Sequence, residues 1–343
     1  MRQDPRVIGL LSLFEAFRRP CSFYVLGAGA SYPIIPLTDQ LCDRVVNRHI
    51  KSGLYPVFER GPDQVFDRIV GNCWQYDNIP RSRLLSLYPS AIRAMLLKEL
   101  CSPRLKRVPC QYAIFYLASR SSTIFTFNVD GLARFLSHRH YIIEPHGSLQ
   151  LGSFRNPKWD KLIDAYMEYG GLLPDPILSG LQFPGQEPSS ITRSCAYTKA
   201  SRLIRYANNV VLVGYSFGIY GGVLDDAESF AFLVDHIMPR HMTLTIVDPK
   251  PEQVADVFGA ACKLKKCVQL NVSWSALSRA IMELVRMLGI RSSSDMIHLT
   301  GEILRRHDEL RERDAQNSSP ADSGKPRSLR SSSSLNKWFN HSA

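Results

Sequence analysis

Short, almost entirely apolar runs alternate along the chain with longer segments in which apolar residues recur every three or four positions. The apolar runs are typical of buried strands. They occur in CSFYVLGAGAS, at 124–127, and in YIIEPHGSL, VVLVGYSFG and HMTLTIVDPKP. Helical spacing marks residues 7–18, YTKASRLIRYANN and SWSALSRAIMELVRMLG. Strands separated by helices predict an α/β fold, with a parallel sheet covered on both faces.

Two further segments differ from this alternation. Residues 37–118 contain several stretches with helical spacing, such as LTDQLCDRVVNRHI, and are predicted to be mostly helical. The end of the chain, 315–343, is rich in Ser and poor in apolar residues. Because such a segment cannot bury enough surface to order itself, we predict a disordered tail.

Composition restricts the class of protein. The chain has 343 residues, of which 45% are hydrophobic, so a sizeable core is expected. No apolar run approaches the roughly 18 to 20 residues that a membrane span needs. The first 20 residues contain acidic positions and lack a small-residue cleavage site, so no signal peptide is predicted. We expect a soluble, cytoplasmic protein that has no membrane association.

Cysteine spacing and charge add two expectations. None of the eight cysteines forms a C-x-x-C pair, which favours reduced thiols and no metal site. The net charge is +11, and basic residues concentrate in 81–107. A solvated helix face is the ordinary explanation of such a stretch, while contact with nucleic acid or with an acidic partner protein stays open.

The glycine-rich stretch after the first apolar run is the first candidate site. At Gly27 and Gly29 the missing Cβ lets backbone N–H groups approach a phosphate, and a following helix would add its N-terminal dipole. The stretch GAGAS lacks the third glycine of G-x-G-x-x-G, because Tyr32 stands there. A tight turn without a ligand is the alternative.

Polar or glycine-containing motifs also follow four other predicted strands. The carboxyl ends of parallel strands share one edge of a sheet, so these motifs are expected to converge there. Their residues are Asn128 and Asp130, His146, Gly214 and Ser216, and Asp248. Taken singly, each has a structural explanation, since Asn and Asp are good turn formers and a single His is usually structural.

In their order and spacing, the motifs G-A-G-x-S, T-x-N-x-D-G-L, H-G-S-L and G-x-S resemble the sirtuin family and its sirtuin-like NAD hydrolase relatives. The resemblance covers about residues 20–290. It implies a Rossmann-like sheet of sirtuin type that binds NAD⁺ in an extended form. It also implies a catalytic domain over 1–290 with a helical insertion at about 40–118, followed by a C-terminal helix at 291–314.

The same resemblance assigns roles to residues. His146 matches the catalytic base, Asn128 matches the residue that positions the ribose or water, and Asp130 matches the nicotinamide pocket. The residues implied in cofactor binding are Gly27, Ala28, Gly29, Ala30, Ser31, Thr126, Gly214, Tyr215, Ser216 and Asp248. A carboxylate at Asp248 suits the adenosine ribose hydroxyls and disfavours a 2′-phosphate.

The chain also departs from the sirtuin deacetylases. Between 147 and 200 it has one cysteine, Cys195, so the four-cysteine zinc module of the deacetylases is not expected. The stretch YPIIPLTDQL replaces their G-I-P-x-F-R element, which shields the reacting ribose from water. The sirtuin-like NAD hydrolases share these departures, and many of them are effectors of bacterial antiphage defence.

The resemblance therefore implies hydrolysis of NAD⁺ to ADP-ribose and nicotinamide, with NAD⁺ depletion in antiphage defence as its setting. Transfer of ADP-ribose or acyl groups to a protein and non-catalytic sensing of NAD⁺ or ADP-ribose remain alternatives. Under the hydrolase hypothesis, assembly into a homo-oligomer or with an activating partner protein stays open. Two acids, Asp225 and Asp226, follow the G-x-S motif, after which the sirtuin-like hydrolases often have an acid; a helix N-terminus whose dipole the acids complement is the ordinary explanation.

Overall fold

The computed structural model describes residues 5–37, 40, 108–133, 140–148, 190–217, 226–237, 242–261 and 266–289, with 295, 305 and 309 as single positions. The chain divides into two compact units, Met1–Gly301 and Glu302–Ala343. The strands and helices described below lie in the first unit. The boundary expected at 290, the insertion between 41 and 107, the basic stretch 81–107, the helix at 291–314 and the tail fall outside the described ranges or on single positions.

Among the described residues, six parallel strands form the sheet of the first unit. They are β1 Phe23–Leu26, β2 Thr123–Thr126, β3 Tyr141–Ile143, β4 Asn209–Val213, β5 Thr243–Asp248 and β6 Lys266–Asn271. Their order across the sheet is β3-β2-β1-β4-β5-β6. The predicted α/β, Rossmann-like parallel sheet is therefore confirmed.

Helices accompany the strands in the manner of a βαβ fold. They are α1 Pro5–Arg18, α2 Ala28–Ser31, α3 Cys110–Ala113, α4 Ser190–Ile204, α5 Ala227–Ile237, α6 Pro251–Ala261 and α7 Trp274–Met287. A 3₁₀ turn, Ile114–Leu117, continues α3. Within the described ranges, no helix combines the length and the hydropathy that crossing a membrane requires.

The central strands β1, β2 and β4 are buried on both faces, because side chains that point to either side of the sheet are covered by packed residues. Phe23 and Val25 join a core with residues of α4, α5 and α6, where Phe125 packs against Tyr197 and Phe232. On the other face, Tyr24 packs against Phe17 of α1 and Phe115. This double burial explains why the strands appear in the sequence as continuous apolar runs.

The strand order reverses between β1 and β4. From β1 the chain builds outward to β2 and β3, and then returns to place β4 on the other side of β1. In a doubly wound sheet, ligands bind in the crevice that opens at such a reversal, beyond the carboxyl ends of the two strands. The loops after Leu26 and Val213 are therefore the place in this fold where a ligand site is expected.

Candidate functional site

The loops that follow β1 and β4 are in direct backbone contact. The N–H of Gly27 donates to the carbonyl of Val213 at 3.0 Å, and the N–H of Gly29 donates to the carbonyl of Gly214 at 2.9 Å. A Cβ on Gly29 would lie 2.8 Å from the Cα of Gly214, and one on Gly27 would lie 2.4 Å from the Cβ of Tyr215. The glycines are therefore needed for the contact between the two loops.

The same hydrogen bonds limit how this turn could meet a phosphate. The N–H groups of Gly27 and Gly29 donate to β4 and its loop, and that of Ala30 donates to the carbonyl of Gly27 at 2.9 Å. These three donors are satisfied within the protein. Ala28 and Gly29 are the half-buried positions of the turn, whereas Ala30 and Ser31 are buried. A ligand at this turn would therefore meet its outer surface at 28–29.

The side chains of Asn128 and Asp130 reach the glycine turn from β2, as the sequence predicts. The Nδ2 of Asn128 donates to the carbonyl of Gly27 at 2.8 Å and to the Oγ of Ser31 at 3.0 Å. The hydroxyl of Ser31 donates to Asp130, and it also bonds the hydroxyl of Tyr112 at 2.6 Å. We refer to Ser31, Tyr112, Asn128 and Asp130 as the Ser31 cluster.

Counting protons fixes the direction of these bonds when Asp130 is ionised. A hydroxyl has one proton to donate and two lone pairs. Because Ser31 gives its proton to Asp130, it must accept from both Asn128 and Tyr112. Both protons of the Asn128 amide nitrogen are then used. The remaining polar atom of that carboxamide is its Oδ1, whose orientation is thereby set.

Asp130 is a buried carboxyl group, with 3% of its surface exposed. Burial raises its pKa to about 6, and the nearby charge of Glu144 acts in the same direction. Hydrogen bonds from Ser31 and from the N–H of Leu132, at 2.8 Å, oppose that rise. Burial, followed by the charge of Asp130, also raises the pKa of Tyr112, which keeps that hydroxyl protonated as a donor.

His146 lies in a second group of side chains, which we call the His146 cluster: His146, Asp226, Tyr215 and Phe127. His146 is buried, and its Nε2 lies 3.8 Å from the Oδ2 of Asp226. The ring of Phe127 packs edge-on against the imidazole, with centroids 5.2 Å apart. Phe127 also stacks on Tyr215 at 4.4 Å, and the hydroxyl of Tyr215 donates to Asp226.

Asp226 is also the N-cap of α5. Its Oδ1 accepts the N–H of Ser229 at 3.1 Å, and its Oδ2 accepts the hydroxyl of Ser229 at 2.5 Å. Since Ser229 donates to Asp226, the hydroxyl of Tyr197, at 2.6 Å, donates to Ser229. The interpretation of this acid as a helix N-terminal residue agrees with the structure, whereas its position beside His146 was not foreseen. Asp225 lies outside the described ranges.

The two clusters meet around the ends of β1, β2 and β4. Tyr215 of the His146 cluster packs against Gly27, to which Asn128 of the Ser31 cluster is bonded. Phe127, which contacts His146, immediately precedes Asn128 in the chain. The reversal in strand order thus brings the amide, the carboxyl and the imidazole groups into one neighbourhood.

The other predicted residues lie nearby with more local contacts. Buried Thr126 accepts the N–H of Asn128 at 3.1 Å, so it shapes the turn that presents the carboxamide. Asp248 ends β5 and accepts the N–H of Lys250 at 2.8 Å, and burial raises its pKa. Ser216 is exposed. Leu149, the last residue of the H-G-S-L motif, falls outside the described ranges.

Among the described residues, no group of three or more His, Cys, Asp or Glu side chains is placed to hold a metal ion. The described cysteines are free thiols. Most of the segment between 147 and 200, in which the deacetylases carry their zinc module, lies outside the described ranges. The expectation that this chain has no such module therefore stays a prediction.

Comparisons with known proteins return distant structural likenesses. No protein-family profile and no curated protein sequence matches the chain. Solved structures that resemble it include a Sir2 complex with a p53 peptide and NAD⁺, at 18% identity and a TM-score of 0.43, covering 81% of this chain and 98% of that one. Sir2Af2 bound to a myristoylated histone peptide has 14% identity and a TM-score of 0.43, with coverage of 83% and 100%. At this distance the function must be argued from the chain's own residues.

Proposed function

We propose that this chain binds NAD⁺ at the β1–β4 reversal and hydrolyses it to ADP-ribose and nicotinamide. The observation that carries the proposal is the placement of two polar clusters around the single point where the strand order reverses. Dinucleotides bind at such points in doubly wound sheets. The sirtuin-like motif order in the sequence supplies the identity of the dinucleotide.

The reaction does not need a general acid, because nicotinamide is already a good leaving group. It needs oriented oxygen atoms that stabilise positive charge on the ribose. The bond between C1′ of the ribose and the nicotinamide nitrogen breaks, and the electron pair leaves with nicotinamide, which departs as a neutral molecule. The ribose becomes oxocarbenium-like, water forms the new bond to C1′, and a proton must be removed from that water. Preorganised dipoles that favour the developing positive charge are the main protein contribution to such a step.

Asn128 is suited to that task because its orientation is fixed. Both protons of Nδ2 are donated, to Gly27 and to Ser31, so the carboxamide cannot rotate without breaking two hydrogen bonds. Its Oδ1 is then the atom that faces substrate, where it stabilises positive charge at C1′ or orients the attacking water. His146 is the base that accepts the proton from that water or from a ribose hydroxyl.

The structure favours an indirect role for Asp130. The sequence resemblance places it against the nicotinamide carboxamide, yet both of its oxygen atoms accept hydrogen bonds inside the protein, from Ser31 and Leu132. We therefore propose that Asp130 acts through Ser31 to hold Asn128. Tyr112, which no local sequence signal connects to the site, supports Ser31 from the other side.

The remaining cofactor contacts follow from position in the fold. The turn at 28–29 is proposed to meet the diphosphate on its outer surface, together with Ser216 from the loop after β4. Asp248, at the end of β5, is proposed to meet the adenosine ribose. A carboxylate there favours NAD⁺ over its 2′-phosphorylated form.

The biological setting belongs to the same proposal. An enzyme that only consumes NAD⁺ is useful to a cell when NAD⁺ loss stops a parasite, which is the antiphage role implied by the resemblance. Phage challenge of cells that express the wild type and His146→Ala tests this setting. A fall in cellular NAD⁺ and protection, both confined to the wild type, are expected.

Incubation of the pure protein with NAD⁺ alone tests the activity, with nicotinamide and ADP-ribose quantified by chromatography. We expect steady release of both, with a loss of at least about 100-fold in His146→Ala and in Asn128→Ala. His236→Gln is the matched control. His236 is half-buried, and its hydrogen-bond partners are Ser201 of α4 and the carbonyl of Phe232 in α5, away from the two clusters.

The two alternatives give different results in the same assay. Nicotinamide release that needs an added protein acceptor would indicate transfer of ADP-ribose. Saturable NAD⁺ binding without any release, with a candidate activating partner present, would indicate a sensor. Equal rates in His146→Ala and the wild type would refute the assignment of the base.

A further inference from the structure

We propose that Asp226 is a positioning residue for His146: the N-cap of α5 holds a negative charge beside the imidazole and favours the imidazolium that forms when the base takes its proton. The proposal rests on the proposed function, in which His146 is the base. The juxtaposition that carries it is the 3.8 Å separation between Nε2 of His146 and Oδ2 of Asp226.

The position of the Asp226 carboxylate does not depend on His146. The carboxylate is held by the N–H and the hydroxyl of Ser229 at the start of α5, and by the hydroxyl of Tyr215 after β4. Each of these groups donates a proton to it. Three donors and a helix N-terminus are partners that suit an anion. The charge is therefore fixed in place by two elements of the fold before any substrate binds.

The imidazole is confined on a different side. The ring of Phe127 packs edge-on against it, and Phe127 is itself clamped by a nearly parallel stack on Tyr215, with an interplanar angle of 12°. Tyr215 thus connects the two sides of the pair, since its hydroxyl bonds Asp226 and its ring stacks on Phe127, which in turn packs against His146. This arrangement orients the Nε2 edge of His146 toward the carboxylate.

The separation of 3.8 Å defines the kind of interaction. It exceeds hydrogen-bond length but lies within the range of an ion pair. The pair is also shielded, with 8% and 16% of the two side chains exposed, so solvent screens it less than a surface pair. Asp226 therefore acts on His146 by charge. A nearby carboxylate favours the protonated imidazole, which makes the neutral ring a stronger base.

Other titratable groups of the described residues contact Asp226 or act on the Ser31 cluster. Tyr215 and Tyr197 approach from the β4 loop and from α4, and both act as neutral donors in the chain of hydrogen bonds that ends on Asp226. Glu144 lies two residues earlier in the chain, and its charge acts on Asp130 and Tyr112. Asp226 is a carboxylate whose Oδ2 lies 3.8 Å from the Nε2 of the imidazole.

The first measurement is the titration of the His146 imidazole by NMR in the full chain, with its signal identified by its loss in His146→Ala. Two variants remove the charge. Asp226→Asn keeps the shape, and Asp226→Ser keeps a good N-cap for α5 if the first variant folds poorly. In both, we expect the titration midpoint of His146 to move to lower pH by about one unit.

The matched control is Glu228→Gln. Glu228 is an exposed acid in the same first turn of α5, so this change removes one charge from the same helix end. The midpoint of His146 should stay within about 0.2 unit, because surface charges are largely screened. An equal shift in Glu228→Gln and Asp226→Ser would contradict the proposal. It would mean that the acids at this helix end act together on the titration of His146, without a specific role for Asp226.

The second measurement is the pH dependence of NAD⁺ hydrolysis. In Asp226→Ser we expect kcat to fall about tenfold with KM within twofold of the wild type, because a weaker base slows the proton transfer and leaves binding intact. A midpoint that does not move in either folded variant would overturn the pairing. If the wild type hydrolyses no NAD⁺, the proposed function fails, and the NMR titration still decides whether Asp226 acts on His146.

Discussion

At the scale of single residues, two polar groups of the site, Asn128 and Asp130, are each held by two hydrogen-bond partners. Asn128 donates to Gly27 and Ser31, and Asp130 accepts from Ser31 and Leu132. Groups held in this way keep their orientation without a ligand, so little ordering remains to be done when substrate binds. The residue-level predictions concern the glycine that lets the two loops meet and the buried carboxyl.

Gly214→Ala should destabilise the protein strongly. Gly214 has a φ of +54°, and a Cβ there would lie 2.5 Å from the Cα of Gly29, which is backbone and cannot yield. We expect a loss of at least about 2 kcal/mol in the free energy of unfolding, measured with urea. Gly259→Ala in α6 is the matched control, because a Cβ there meets nothing within 4 Å.

In that control, Gly259→Ala should stabilise by about 0.5 to 1 kcal/mol, since Ala is the better helix former. A Gly214→Ala variant as stable as the wild type would show that the β1 and β4 loops do not touch as described. The glycines would then need a different explanation, such as access for a ligand.

Asp130→Asn should change how stability depends on pH. The pKa of Asp130 is raised to about 6 in the folded protein, so the folded state holds its proton more tightly than the unfolded state does. The stabilisation from this proton is complete below about pH 4 and is lost as pH rises through 6. The loss approaches about 3 kcal/mol by pH 8. Relative to the wild type, the variant should therefore gain stability between pH 4.5 and 8.

Urea unfolding at pH 4.5, 6 and 8 measures this difference. Asp235→Asn is the control, since it makes the same substitution at an exposed position of α5. A difference between Asp130→Asn and the wild type that stays constant over this pH range would show that Asp130 is not the buried, near-neutral titrating group described above.

At the scale of elements, the start of α7 supports the site from outside. Ser273 caps α7 by accepting the N–H of Ala276 at 3.3 Å. The next residue, Trp274, is buried and donates its indole N–H to the carbonyl of Gln111 at 2.8 Å. Gln111 precedes Tyr112 of the Ser31 cluster. The capped end of one helix thus anchors the short helix that carries a site residue.

Ser273→Ala should cost about 1 kcal/mol of unfolding free energy, because it removes the N-cap of α7. Ser275→Ala is the matched control. Ser275 is the second residue of the same helix, and this change should alter stability by less than about 0.5 kcal/mol. Thermal and urea unfolding measure both variants. Equal costs at the two positions would contradict the assignment of Ser273 as the cap.

The elements also show what the sequence could predict. The strands β1, β2, β4 and β5 were recognisable because burial on both faces leaves them almost wholly apolar. The strand β6 was missed, because at the edge of the described sheet only Val268 and Leu270 of Lys266–Asn271 are buried, and polar residues break the apolar run. The helices α5 and α6 were not delimited either, although their amphipathic spacing is present in the sequence.

For the site, the sequence predicted which strand ends carry polar groups, since parallel strands end at one edge. It could not predict the pairs Ser31–Tyr112 and His146–Asp226, whose members lie 81 and 80 positions apart in the chain. No local sequence pattern predicts contacts between residues so far apart in the chain, because these contacts depend on how α3 and α5 pack in the fold. The sequence also assigned the glycines to phosphate access, whereas the structure shows them in loop-to-loop contact.

At the scale of the whole molecule, one architectural fact explains why the site lies where it does. The order β3-β2-β1-β4-β5-β6 sends the chain from the centre to one edge and then back to the other side of the centre. Side chains from distant segments therefore gather beyond β1 and β4. The proposed NAD⁺ chemistry depends on that gathering, because it needs one dinucleotide to meet the glycine turn, Asn128 and His146 together.

A crystal structure of His146→Ala with NAD⁺ tests this central claim most directly, since the variant is expected to bind the dinucleotide without cleaving it. The account predicts the diphosphate against the turn at 28–29 and C1′ of the nicotinamide ribose between the Asn128 carboxamide and the Cβ of residue 146. A dinucleotide bound away from β1 and β4, or a C1′ that only one of these two residues can reach, would contradict it.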